Sequence, residues 1–195
     1  MIRSPGPAGT LLRSVVWRSV AVHGSDYCSL LQMAQGWLLK GTAVAVLQDD
    51  RPMLAEYEIH CDPLWHTRRV AVECIMASAA RSVDLTVGSS GEWHSPAKEL
   101  PELRECIDID LAITPATNTL PIRRLKLEVG QSQDVSAVWL KFPDLTLEIL
   151  SQRYTRLEAD RYLYQSGSGF SAELVVDDLG LVAFYPGGWE RMATL

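Results

Sequence analysis

The chain has 195 residues, enough for one domain with a substantial core and short for two, so a single domain over 1–195 is expected. Its 18 Lys and Arg against 24 Asp and Glu give a formal charge of −6, and a field of that sign repels polyanions, which argues against a nucleic-acid partner. At 47% hydrophobic and 22% charged residues the composition is that of a globular domain rather than a disordered one, and no apolar run reaches the roughly 18 residues a transmembrane segment needs.

Taken in chain order, residues 15–22 open a series of short segments rich in β-branched and aromatic residues. The apolar character around them has the look of a signal core, but Arg13 and Arg18 bracket and interrupt it, which speaks against export. Residues 25–35 are a candidate helix. Strands are then expected over 36–47, 54–61, 68–75 and 82–87, separated by turn chemistry such as Asp49-Asp50-Arg51-Pro52 and Gly88-Ser89-Ser90-Gly91. The second half repeats the style at 106–113, 125–129, 136–141, 145–156, 161–164, 170–177 and 181–185.

A second candidate helix covers 119–127, with Thr119 as a possible cap and Pro121 tolerated in the first turn, although its tail also fits a strand. The composition of elements is therefore mainly β. Four widely spaced cysteines, Cys28, Cys61, Cys74 and Cys106, read as reduced, packed thiols, and a cytoplasmic location is expected.

Chemistry is first sought at Cys106-Ile107-Asp108-Ile109-Asp110-Leu111. In a strand, alternate residues share a face, so Asp108 and Asp110 become neighbours with Cβ atoms roughly 7 Å apart. At that distance one carboxylate can raise the pKa of the other, or both can bind sugar hydroxyls; a half-exposed strand produces the same alternation. The following loop, 114–121, carries two prolines and the short polar side chains of Thr114, Thr117, Asn118 and Thr119. Beyond it Arg123 and Arg124 are candidates to clamp an anionic group, or to neutralise Asp108 or Asp110. A reversal through the loop would gather both arginines and both acids into one cluster lining a cavity.

A third cluster runs from Tyr57 to Val70. Asp62-Pro63 favours a turn, Trp65 supplies an amphipathic ring, and Arg68 or Arg69 a cation, which suits a glycolipid head as well as it suits a packed tryptophan with arginines at the rim. His60, Cys61 and His66 raise a zinc reading that lacks any established ligand spacing, so no metal or cofactor is expected.

These motifs carry a resemblance. The runs Y-E-I-H-C-D-P-L-W-H-T-R (57–68), C-I-D-I-D-L-A-I-T-P-A-T-N-T-L-P-I-R-R-L (106–125), Q-R-Y-T-R (152–156) and G-L-V-A-F-Y-P (180–186) resemble the bacterial putative glycolipid-binding family, in order and over nearly the whole chain. The resemblance implies a spiral β-roll, a long mostly antiparallel sheet wrapped around a single helix. It also implies binding of a glycolipid or other amphipathic small molecule, or a part in glycolipid metabolism. The matching positions are Asp62, Trp65, Thr67 and Arg68; Asp108, Asp110, Thr114, Asn118, Thr119, Arg123 and Arg124; and Tyr154, Arg156, Tyr185 and Trp189. Asp26 stands where the family tends to have glutamate.

Two functions follow as expectations. One is a ligand-binding module with an apolar cavity and a polar Asp/Arg mouth, through Asp62, Trp65, Arg68, Asp108, Asp110, Asn118, Arg123, Arg124, Tyr154, Arg156 and Tyr185. The alternative is a hydrolase or transferase using Asp108 and Asp110 as acid and base, unsupported by any nucleophile elbow or phosphate loop.

Overall fold

The computed structural model describes residues 9–77 and 79–195. The chain is mainly β. Among the described residues the strands are β1 (Thr10–Ser19), β2 (Gly24–Met33), β3 (Gly36–Val46), β4 (Pro52–Cys61), β5 (Thr67–Met76), β6 (Ala79–Val87), β7 (Trp93–His94), β8 (Asp108–Leu111), β9 (Ser132–Lys141), β10 (Thr146–Arg156), β11 (Arg161–Ser166), β12 (Ser171–Val176), β13 (Val182–Tyr185) and β14 (Trp189–Thr194), with one α-helix, α1 (Thr119–Leu125). They form one sheet in the order 7-6-5-4-3-2-1-14-13-12-11-10-9-8. Neighbours are antiparallel hairpins except at the junction of β1 with β14 and at β8, which runs parallel to β9. The sheet is rolled around α1.

Alternation explains the strands. In β4, Met53, Ala55, Tyr57, Ile59 and Cys61 are buried while the residues between them face outward or half-outward, the period-2 pattern of a sheet with one covered face. Segment 25–35 is not a helix. Asp26, Cys28 and Leu30 are buried and Tyr27 is exposed, and the segment pairs on both sides as β2, so a period of two prevails over the helical reading. The strand expected at 125–129 does not form either: Lys126 takes the left-handed conformation that ends α1, and Leu127 folds into a core. The strand expected over 106–113 is confined to β8. All four cysteines are free and buried.

Helix α1 is shorter than expected and is entered from a 3-10 turn, Ala116–Asn118, without a side-chain cap. The Thr119 hydroxyl instead donates to the Gly180 carbonyl at 3.0 Å. The helix sits between two apolar clusters, Leu120 joining the larger one with Trp17, Trp93, Ile109 and Leu140, and Ile122 the smaller one with Tyr154, Tyr164 and Leu174.

Strand directions give the roll two ends. One, here called the mouth, carries the turns 20–23, 47–51, 142–145, 167–170 and 186–188 and the exit of β8. Helix α1 starts near the mouth, at the loop after β8, and runs about 10 Å away from it.

Candidate functional site

A pocket of about 210 Å³ opens at the mouth. Asp110, Trp139, Tyr164, Phe170, Tyr185 and Trp189 supply its chemistry, with Thr114 and Asn118 on the α1 side and Leu111 and Leu150 at the base. Asp110 arrives there because β8 pairs in parallel with β9, setting it opposite Trp139 on the same face. Gln152, on β10, donates to Asp110 Oδ2 at 2.6 Å and to the Tyr164 hydroxyl at 3.2 Å. The aromatic rings are mutually tilted, Phe170 and Tyr185 at 5.7 Å and Tyr164 and Tyr185 at 6.3 Å between centroids. At Gly188 a Cβ would come within 2.9 Å of the Tyr185 ring, so only glycine lets the 186–188 turn lie against that wall. Lys141 sets its ammonium 4.9 Å from the Trp139 ring centroid.

Burial pushes the Asp110 carboxyl up to about 6, against the hydrogen bond from Gln152 that favours its charged form. The Tyr185 hydroxyl is raised as well, by burial first and then by the Asp110 charge. A carboxyl poised near neutrality, in a wall of aromatic rings, is an acceptor for hydroxyl groups in a setting that also offers π-faces.

The expected Asp/Arg cluster is not formed as one unit. Arg124 holds Asp108 bidentately, Nε to Oδ1 at 3.1 Å and Nη2 to Oδ2 at 2.5 Å, with side-chain exposures of 12% and 1%. Arg123 points elsewhere: its Nη1 donates to the Asp178 carbonyl at 3.2 Å, and its guanidinium lies 5.6 Å from the Trp65 ring centroid. Both arginines sit toward the end of α1 that is away from the mouth, so Asp110 has Gln152 as its hydrogen-bonding partner and no arginine. Of the two acids considered as an acid/base pair, Asp110 alone lines the pocket.

The first motif builds a turn. Asp62 Oδ1 accepts from the backbone N–H of Leu64 and His66 at 2.9 and 3.0 Å, and Oδ2 accepts from Arg68 Nη2 at 2.8 Å, while Arg68 Nη1 reaches the Gly88 carbonyl at 2.8 Å. Burial raises the Asp62 carboxyl, but these hydrogen bonds together hold it below the usual carboxylate range. Trp65, at φ 69° and 3% exposed, lies in the β4–β5 turn at the end of the roll opposite the mouth and stacks on Trp37 at 4.8 Å. Tyr154 donates to Asn118 Oδ1 at 2.9 Å, and Arg156 donates to the carbonyls of Leu127, Glu158 and Ala159. Among the described residues His60, Cys61 and His66 join no group that could hold a metal ion; His66 Nδ1 faces Asp62 at 3.1 Å.

Thus Asp110, Asn118, Tyr185, Thr114 and Trp189 meet at the pocket, whereas Asp62, Trp65, Arg68, Asp108, Arg123, Arg124, Tyr154 and Arg156 are engaged with protein partners. Sequence reasoning missed Trp139, Gln152, Tyr164 and Phe170. Gln152 stands two residues before Tyr154 and thus on the same strand face, a signal present in the Q-R-Y-T-R run.

Behind the pocket lies a second acid. Asp26, 1% exposed, accepts through Oδ2 from Thr114 Oγ1 at 2.5 Å and from the Tyr57 hydroxyl at 2.9 Å. Its Oδ1 is buried with no hydrogen-bond partner among the described residues. Burial raises this carboxyl to about 6, against those two hydrogen bonds. The Tyr57 ring reaches Asp26 by crossing over Gly41, where a Cβ would lie 2.3 Å from the hydroxyl.

Comparison with known proteins gives three results. A family model described as "Putative glycolipid-binding" matches residues 14–191. The crystal structure of a DUF1089 family protein from Pseudomonas aeruginosa, at 1.80 Å resolution, is 32% identical and superposes with a TM-score of 0.79, over 97% of this chain and 100% of that one. No curated protein matches.

Proposed function

The chain belongs to the "Putative glycolipid-binding" family, and on that footing we propose that it binds a glycolipid by seating one sugar ring of the headgroup in the mouth pocket. One observation carries the reading: a carboxyl, Asp110, stands among Trp139, Tyr164, Tyr185 and Trp189 in a concavity of about 210 Å³. Pyranose rings present polarised C–H groups on one face and hydroxyls around the edge. Aromatic π-faces carry the negative lobe of a quadrupole and attract the former, and a carboxylate accepts the latter in charge-assisted hydrogen bonds.

The volume lies below the roughly 300 Å³ at which pockets for drug-sized ligands begin, so it suits a single ring. Acid/base catalysis by Asp108 and Asp110 is the weaker reading, because Asp108 is locked to Arg124 and one carboxyl is left facing the pocket.

Native mass spectrometry of the protein mixed with short-chain glycolipids tests the proposal. One-to-one complexes are expected, and they should be lost in a variant carrying both Asp110→Asn and Trp139→Ala. Complexes that persist undiminished in that variant contradict it.

A further inference from the structure

The sugar pocket has no room for a hydrocarbon chain, and the larger core behind it is filled by side chains such as Trp17, Trp93 and Leu120. A second concavity lies at the same end of the roll. It is a shallow groove of about 640 Å³ on the outer face of β2 to β5, with almost entirely apolar walls. Its floor is one cross-strand row: Val44 pairs with Leu54, and Leu54 with Ile75, while Val46 and Pro52 pair one step closer to the mouth. Val44, Val46 and Ile75 are exposed, 37–43% each. Their neighbours Ala43, Ala55 and Cys74 point inward and are fully buried, so the row is not core. Apolar residues scattered singly on a surface need no explanation, but a continuous concave row does.

The 20–23 turn links the edges of the two concavities, which share no lining residue. The Val20 N–H donates to the Gly188 carbonyl at 2.9 Å, at the rim of the pocket, and His23, three residues on, lines the groove and accepts from the Val46 N–H at 2.8 Å. The connecting turn Val20-Ala21-Val22-His23 is itself apolar, with Val20 and Val22 about half exposed. We infer that the groove holds the hydrocarbon chain of the same amphiphile whose headgroup occupies the pocket, the chain passing over the 20–23 turn. This rests on the pocket reading above.

From β3 to β5 the row spans two strand spacings, about 10 Å, along which a chain covers its methylenes on one side, with Ser25 of β2 next to Val44 at its edge. A bilayer surface fits this end less well. Residues 49–51 of the β3–β4 turn beside the groove carry one net negative charge, Asp49 being paired with Arg51 at 2.6 Å, and the chain's net charge is −6, both of which repel an anionic leaflet.

The probes are methyl, hexyl, octyl and decyl glycosides of glucose, galactose and mannose, below micelle-forming concentrations. Two readouts are kept separate: the methyl NMR signals of Val44, Leu54 and Ile75 report the groove, and the indole signals of Trp139 and Trp189 report the pocket. Methyl glycosides should move the indoles alone. Longer chains should add shifts in the groove and tighten binding about twofold per methylene, the effect of covering one side of a chain.

Leu54→Glu, on the solvent side of its strand, should abolish the chain-length gain and leave methyl glycoside affinity unchanged. Indole shifts without any chain-length dependence overturn the groove assignment and leave the pocket reading standing. Chain-length dependence that survives Leu54→Glu puts the chain elsewhere and also overturns it. If no glycoside moves either indole, the pocket reading falls and the inference falls with it. Groove shifts produced by phosphatidylcholine vesicles but by no monomeric glycoside assign the face to a lipid surface instead.

Discussion

Asp110 and Trp139 face each other across the parallel β8–β9 pairing and share the wall of one pocket. Neither is close to the other in sequence, and the strand that brings them together is four residues long. The acid is therefore placed by topology, and its pKa is raised by burial against the opposing hydrogen bond from Gln152.

Asp110→Asn should weaken binding of a methyl glycoside by about 10- to 100-fold, the loss of a hydrogen bond to a charged acceptor. In the unmodified protein, binding should weaken once pH drops below about 6, because protonation removes the charged acceptor. Calorimetric titration between pH 5 and 8 measures both effects. Affinity that rises toward pH 5 contradicts the role given to the carboxylate.

Asp108 and Arg124 form a buried pair, and breaking it by Asp108→Ala or Arg124→Ala should cost about 3–5 kcal/mol, since a charge is left buried without its partner. The exposed pair Asp134–Arg153 should cost under about 1 kcal/mol on the same treatment. Urea denaturation of the single and double variants gives the coupling directly.

Asp26 supplies a pH signature. Its folded pKa of about 6 lies above the ordinary value of 3.8, so the native state binds the extra proton, and the associated stability is present below pH 3.8 and lost as pH rises through 6. That loss is about 3 kcal/mol. Asp26→Asn has no such titration, so the stability of the variant relative to the parent should rise by about that amount between pH 4 and 7. A relative fall over the same range would mean that Asp26 is stabilised as a carboxylate.

Arg68 is bound into the Asp62 turn and to Gly88 rather than to the pocket. Arg68→Ala should lower stability by about 1 kcal/mol, a partly exposed pair, and leave glycoside affinity unchanged. A lost affinity without lost stability would return the residue to a binding role.

The sequence made the strands legible through alternation, and α1 through its apolar spacing, because both are local. Residues 25–35 read as a helix because Tyr27, Leu30, Leu31 and Ala34 recur at i, i+3, i+4 and i+7, while the carboxylate of Asp26 is buried by contacts from Tyr57 and Thr114, distant in the chain. Arg123 and Arg124 read as one clamp. On a helix, consecutive residues point about 100° apart, so one takes Asp108 and the other Trp65. Gln152 shares a strand face with Tyr154, which is legible in the Q-R-Y-T-R run, but the meeting of Gln152 and Trp139 with Asp110 depends on a parallel pairing between segments separated by a helix, which no local pattern encodes.

The indole N–H signals of the six tryptophans during titration with a methyl glycoside decide whether the mouth pocket is the sugar site. Trp139 and Trp189 should shift in proportion to occupancy. Trp17 and Trp93, whose indoles donate to the carbonyls of Val182 and Cys106 in the core, should stay still, as should the stacked pair Trp37 and Trp65. Shifts confined to Trp37 and Trp65, or the absence of any shift at Trp139 and Trp189 at saturating glycoside, would contradict the assignment of the mouth pocket as the sugar site.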